Sequence, residues 1–273
     1  MGDSQTEGVG DIPHPDGLDR GWADRFAAGL GRLSPGLLYA NLAVRGRRIA
    51  PIRDEQLQPA LDLKPDLVSV LAGANDLIRP GFDLDLTLEV MDELQAAFRS
   101  CGATVLTITY PWQSGNFLSD RSKTFNQGLR DVARRNGSLL LDLETIPATI
   151  DPRLWCHDRL HLNADGHNRL ARAMLALIEG QAIGWTELTL ESVSDGGVPD
   201  WAIELPPPPV LPRAAVVRRD LGWAFRYLLP WIGRRLTGRS SGDGRTAKRP
   251  VLSPAADLSS PPASTTEAAS PGA

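Results

Sequence analysis

Four short stretches of this chain carry side chains suited to acyl-transfer chemistry. They are Gly2-Asp3-Ser4, Arg45-Gly46, Gly73-Ala74-Asn75-Asp76 and Asp158-Arg159-Leu160-His161. A serine hydroxyl is a poor nucleophile until a base takes its proton. Histidine titrates near neutrality and suits that task. Its imidazole needs a carboxylate to fix the tautomer and to stabilise the imidazolium. The oxyanion of a tetrahedral intermediate needs preorganised N–H donors. Ser4, His161 and Asp158 match the first three needs. The Ser4 N–H, the Gly46 N–H and the Asn75 amide match the fourth, and glycine at 46 allows close backbone approach.

These stretches need a scaffold that brings them to one place. From 21 to 183 the pattern alternates between amphipathic and wholly apolar segments. "GWADRFAAGLGRL", 51–62, 84–100 and 118–136 have helical spacing, and a further helix starts at an Asn163 cap. "GLLYANLA", "DLVSVLAG", "ATVLTITYP" and "SLLLDL" are short apolar runs without in–out alternation. Strands of that kind, separated by helices, predict a parallel sheet covered on both faces. Ligands of such sheets bind beyond the carboxyl ends of the strands, where all four stretches should emerge.

In this order and at these separations the four stretches resemble the SGNH hydrolases, also called GDSL esterases and lipases. The resemblance covers residues 1 to about 183. It implies a flavodoxin-like, three-layer α/β fold and hydrolysis of acyl esters on small molecules or lipids. It implies a triad of Ser4, Asp158 and His161 and an oxyanion hole of Ser4, Gly46 and Asn75, with no cofactor and no metal. Its sheet order, 2-1-3-4-5, puts a first strand ahead of the GDS turn, yet only Met1 precedes Gly2. Unpaired interior strand edges cost about 1–3 kcal/mol per buried group, so a first strand reads as missing. Either the natural chain begins upstream, or "WTELTLES" fills the gap.

Other readings of the same residues remain open. An acyltransferase could use the same groups, with an acceptor alcohol outcompeting water. An inactive scaffold or a phosphate-cradling module is a further alternative, although the opening loop lacks the lysine and the G-x-x-x-x-G-K-[ST] pattern of a phosphate-binding loop. His157 and His167 match no catalytic role; His167 reads as structural and His14 as a solvated loop residue. Trp155-Cys156-His157 invites a Cys–His pair, but adjacent loop residues rarely point together.

The 273 residues, 42% apolar, divide into a hydrolase domain (1–185), a connector with a Pro-rich spacer (186–212), a basic amphipathic arm (213–239) and a low-complexity disordered tail (240–273). Charge is uneven. Residues 1–212 hold 19 bases and 29 acids, net -10, whereas 213–249 hold 10 bases and 2 acids, net +8. The arm reads first as a helix docked on the acidic body with Trp223 and Trp231 buried. Peripheral membrane contact through 214–236 is the alternative, and no nucleic-acid module is recognisable. Cys101 and Cys156 read as free, buried thiols. No apolar run suits a membrane span and no leader is evident, which predicts a cytoplasmic protein.

Overall fold

The computed structural model describes residues 1–111, 117–181, 187–189, 199–237 and 239–259. The apolar runs form strands β1 (Leu38–Asn41), β2 (Leu67–Ser69), β3 (Thr104–Ile108) and β4 (Leu139–Leu141). β5 (Glu187–Leu188) and β6 (Arg249–Pro254) follow. β2, β3, β4 and β5 are neighbours in that order in one parallel sheet, with Leu67 opposite Thr104, Leu106 opposite Leu139 and Leu140 opposite Glu187. Val105, Leu106 and Leu141 are fully buried, as helices on both faces require.

α2 (Gly21–Leu33) and α7 (Ala164–Gln181) pack together on one face. α3 (Ile49–Asp62), α5 (Leu84–Ser100) and α6 (Phe117–Asn136) pack on the other. Their starts are locally encoded. Asp83 accepts the Leu86 N–H ahead of α5, and Asn163 accepts those of Asp165 and Gly166 at the head of α7. Val90, Met91, Leu94 and Phe98 then recur at helical spacing on the buried face of α5. Each such side chain contributes about 1.5–3 kcal/mol on burial.

The place expected for a first strand is taken in part. Gly2 makes a parallel bridge to Leu71, and the Val44 N–H donates to Gly2 O at 3.3 Å. The buried Gln56 amide of α3 acts as a ladder surrogate, accepting from Gly2 N and donating to Gly2 O, both at 2.9 Å. "WTELTLES" does not fill this gap: its residues 187–188 pair with β4 at the far edge, and 185–186 and 190–192 lie outside the described residues.

Two expectations for the C-terminal third are corrected. Part of the stretch read as a disordered tail is structured. β6 pairs antiparallel with β1, Leu38 opposite Pro254 and Asn41 opposite Arg249, and a 3-10 turn follows at Ala255–Ser259. Composition hid this because its partners are distant. Buried Asp24 of α2 receives Lys248 at 2.9 Å and Arg249 at 3.2 Å, and Ala255 and Leu258 bury against Ala27 and Ala28. Residues 260–273 lie outside the described residues. The arm is helical over Arg213–Trp223 and Leu229–Leu236, joined by a π turn at Ala224–Leu228. The wider turn comes just before Pro230, which has no N–H to continue the α ladder. Trp223 and Trp231 are only half-buried, so the arm touches the body without sinking into it.

Two smaller readings, of the cysteines and of His14, also change. Cys101 is exposed and Cys156 half-buried, and both are free. His14 is not solvated: it is buried, with Nε2 3.1 Å from Asp24 Oδ2. Among the described residues no helix is long and apolar enough to cross a membrane.

Candidate active site

Gly73-Ala74-Asn75-Asp76 follows β2 of the parallel sheet, Gly2 is bridged to Leu71 beside it, Arg45-Gly46 follows β1 outside that sheet, and Asp158–His161 follows β4 after three 3-10 turns. α1 (Ser4–Glu7) begins with Ser4, and its cap Asp3 accepts the Gln5 N–H at 3.2 Å. Position at the head of a helix leaves the Ser4 N–H without an intrahelical acceptor. The short helix stops at Gly8 in the left-handed region.

The Arg45-Gly46 turn is fastened to α1. Glu7 accepts the Arg45 backbone N–H at 2.5 Å and its Nε at 2.7 Å. Gly46 has φ +77°, and a Cβ there would collide with the hydroxyl of Ser240. Glycine is required twice over, by conformation and by space. The Gly73 turn is as restrictive: φ is +100° and a Cβ would lie 2.5 Å from the Phe125 ring. Gly73 caps α4 (Ala74–Leu77), which carries Asn75.

Asn75 Nδ2 donates to Asp3 Oδ2 at 2.9 Å and to Arg47 O at 3.1 Å. It thus joins the serine's cap to the glycine turn. Both of its N–H groups have acceptors here, so an incoming oxyanion would compete with Asp3 for one of them. Asp76 is a structural cap, accepting the Ile49 N–H of α3 at 2.9 Å.

Asp158 and His161 form a direct pair, with Nδ1 2.6 Å from Oδ2. Asp158 Oδ1 also accepts the backbone N–H groups of Leu160 and His161. Burial alone would raise this carboxyl, but the His161 ring and the two backbone donors outweigh it and hold it below the usual range. The carboxylate is therefore ionised and oriented to hold Nδ1–H, leaving Nε2 for other work. Arg159 takes a left-handed φ of +61° within this turn. Asp3 behaves in the opposite way: burial dominates and pushes it up to about 6, against the Gln5 N–H, the His161 charge and the Asn75 amide.

Gln5 is a residue the sequence reading missed. Its Nε2 donates to Leu160 O at 2.8 Å, and its Oε1 accepts the Leu162 N–H at 3.4 Å. The residue after Ser4 thereby grips both neighbours of His161, and this is what ties the histidine turn to the serine's helix. The only local signal was a polar side chain beside the serine; its partners lie 155 and 157 residues away.

The remaining histidines stay outside the site. His167 is fully buried, accepts the Trp22 N–H on Nδ1 at 3.1 Å and donates from Nε2 to Val9 O at 3.2 Å. His157 is exposed. The Cys156 thiol is raised by burial and points to the carbonyls of Gly10 and Leu162, which opposes a cysteine nucleophile. Among the described residues no group of three or more His, Cys, Asp or Glu side chains could hold a metal ion. An apolar cavity lies against Asp3 and Gln5, walled by Leu71, Ile108, Tyr110 and Leu162.

Comparison with known proteins finds a matching family and several similar structures. The model of the GDSL-like lipase/acylhydrolase family matches residues 1–169. An acetylxylan esterase from Geobacillus stearothermophilus is 26% identical over 157 residues, which is 51% of this chain and 71% of the relative. The crystal structure of that organism's acetylxylan esterase Axe2 superposes with a TM-score of 0.55 at 22% identity, over 65% of this chain and 91% of that one. An alpha/beta hydrolase enzyme from the metagenome of Lake Arreo, Spain, gives a TM-score of 0.57 at 23% identity, over 65% and 92%. The psychrotrophic esterase EstA from Pseudoalteromonas sp. gives 0.53 at 16%, over 64% and 97%.

Proposed function

The chain belongs to the GDSL-like lipase/acylhydrolase family and is a carboxylic ester hydrolase, and from that premise we propose that it cleaves acyl esters through a Ser4–His161–Asp158 triad. The observation that carries this reading is the 2.6 Å Asp158–His161 pair, anchored to the serine's helix by Gln5. Ser4 Oγ attacks the acyl carbonyl while His161 Nε2 takes its proton. Asp158 stabilises the resulting imidazolium. The oxyanion is received by the N–H groups of Ser4 and Gly46 and by the Asn75 amide, for which Asp3 gives up one of its donors. Collapse expels the alcohol, protonated by His161, and leaves an acyl-serine. Water, deprotonated by the same histidine, then releases the carboxylate.

The substrate is an acyl ester of a small molecule or a lipid. The test is hydrolysis of p-nitrophenyl esters by wild type and by Ser4→Ala. We expect turnover by the first and none above background by the second, with unchanged melting. Turnover by a folded Ser4→Ala protein would remove the mechanism.

A further inference from the structure

The arm lies at the catalytic mouth. Trp223 Nε1 donates to Asp158 O at 3.1 Å. Arg159 pairs with Asp220 at 2.6 Å and stacks over the Trp223 ring at 4.7 Å. These contacts grip the residue whose left-handed backbone shapes the Asp158–His161 turn. Beyond the arm the chain returns to the other side of the site, where Ser240 and Gly242 pack on Arg45 and Gly46. Residues 213–242 thus run from the turn bearing the base to the turn bearing the oxyanion glycine.

The arm's outer face is apolar and exposed. Val217, Leu221, Phe225, Leu229 and Ile232 follow one another at helical spacing and are 37–69% exposed. Exposed Arg218, Arg219, Arg226 and Arg234 flank them. An apolar stripe bordered by cations has the chemistry of a helix lying in a lipid headgroup layer, while Trp223 on the opposite face holds the arm to the body. Charge also sets the orientation: the body, net -10 over 1–212, is repelled by an anionic surface, while the arm 213–239, with seven bases and one acid, is drawn to it.

We propose that the outer face of the arm docks on an anionic lipid surface and holds the catalytic mouth against acyl esters carried there. The docking half stands on the arm alone, and the catalytic half rests on the hydrolase reading above.

The test uses the full chain with vesicles of phosphatidylcholine, with and without phosphatidylglycerol. Wild type should co-sediment with the anionic vesicles at least about tenfold more tightly than with the neutral ones, and lose that preference in molar salt, where the Debye length falls to about 3 Å. Leu221→Glu with Phe225→Glu should weaken binding by about tenfold or more. The same variant should leave melting and hydrolysis of soluble p-nitrophenyl acetate unchanged, while turnover of a vesicle-embedded ester falls. Ser4→Ala should bind vesicles like wild type, so failure of catalysis and failure of docking are distinguishable. Equal binding to both vesicle types, or undiminished binding by the double variant, would overturn the proposal. So would a dimer, or binding to duplex DNA, that the double variant abolishes, since the stripe would then serve a second copy or a nucleic acid.

Discussion

The residues proposed to do the chemistry were the most legible part of the chain, because each must be one particular side chain beside a turn of fixed shape. Ser4, Gly46, Asn75, Asp158 and His161 all lie within short local motifs. What the motifs could not convey is how they are coupled. Gln5 reaches Leu160 and Leu162 only because the fold brings the chain's start against its sixteenth decade. Removing that grip should let the His161 turn drift from Ser4 without unfolding anything. Gln5→Ala is expected to lose on the order of 10²-fold in kcat, the scale of a displacement near 1 Å, with little change in KM or melting temperature. Steady-state kinetics beside thermal melting check this. An unchanged kcat would show that the turn holds itself.

At the scale of elements, helices with strong patterns were read to within a residue or two: 84–100 coincides with α5, and 118–136 differs from α6 by one residue. β6 was not legible, because a strand containing Pro250 and Pro254 gains its place from β1 and Asp24 rather than from its own pattern. His167 joins α7 to α2 and to the loop after α1, and it must stay neutral to do so. Burial lowers it to about 4, so the unfolded chain binds that proton more readily than the native one. Its contribution is present above pH 6.5 and is lost as pH falls from 6.5 towards 4, a span worth about 3 kcal/mol. Asp3, raised to about 6, has the opposite slope: its protonated form favours the fold at low pH, and that gain is lost as pH rises through 6. His167→Gln keeps the Asp3 slope and removes the other. Between pH 7 and pH 4 it should therefore lose less stability than wild type, by an amount of that order, in urea titrations at each pH. A pH-independent difference would contradict a buried neutral histidine.

Over the whole molecule, the segment after the hydrolase body returns to it at several places, among them the Asp158–His161 turn, the Gly46 turn, strand β1 and the buried carboxylate of Asp24. Asp24 is fully buried and receives His14, Tyr39, Lys248 and Arg249. Asp24→Ala would strand the buried Lys248 ammonium without its counter-charge. It should cost about 3–5 kcal/mol, read from the urea midpoint, and free 248–259 for proteolysis. A cost below 1 kcal/mol would mean that the C-terminal strand is held by β1 alone. The central claim, however, is that one hydroxyl near the chain's start does the chemistry. Its most direct measurement is peptide mapping by mass spectrometry after a fluorophosphonate has stopped ester hydrolysis. The account predicts a single adduct on Ser4, formed in step with inactivation and slowed in His161→Ala. An adduct on any other residue, or full hydrolysis by protein labelled at Ser4, would contradict it.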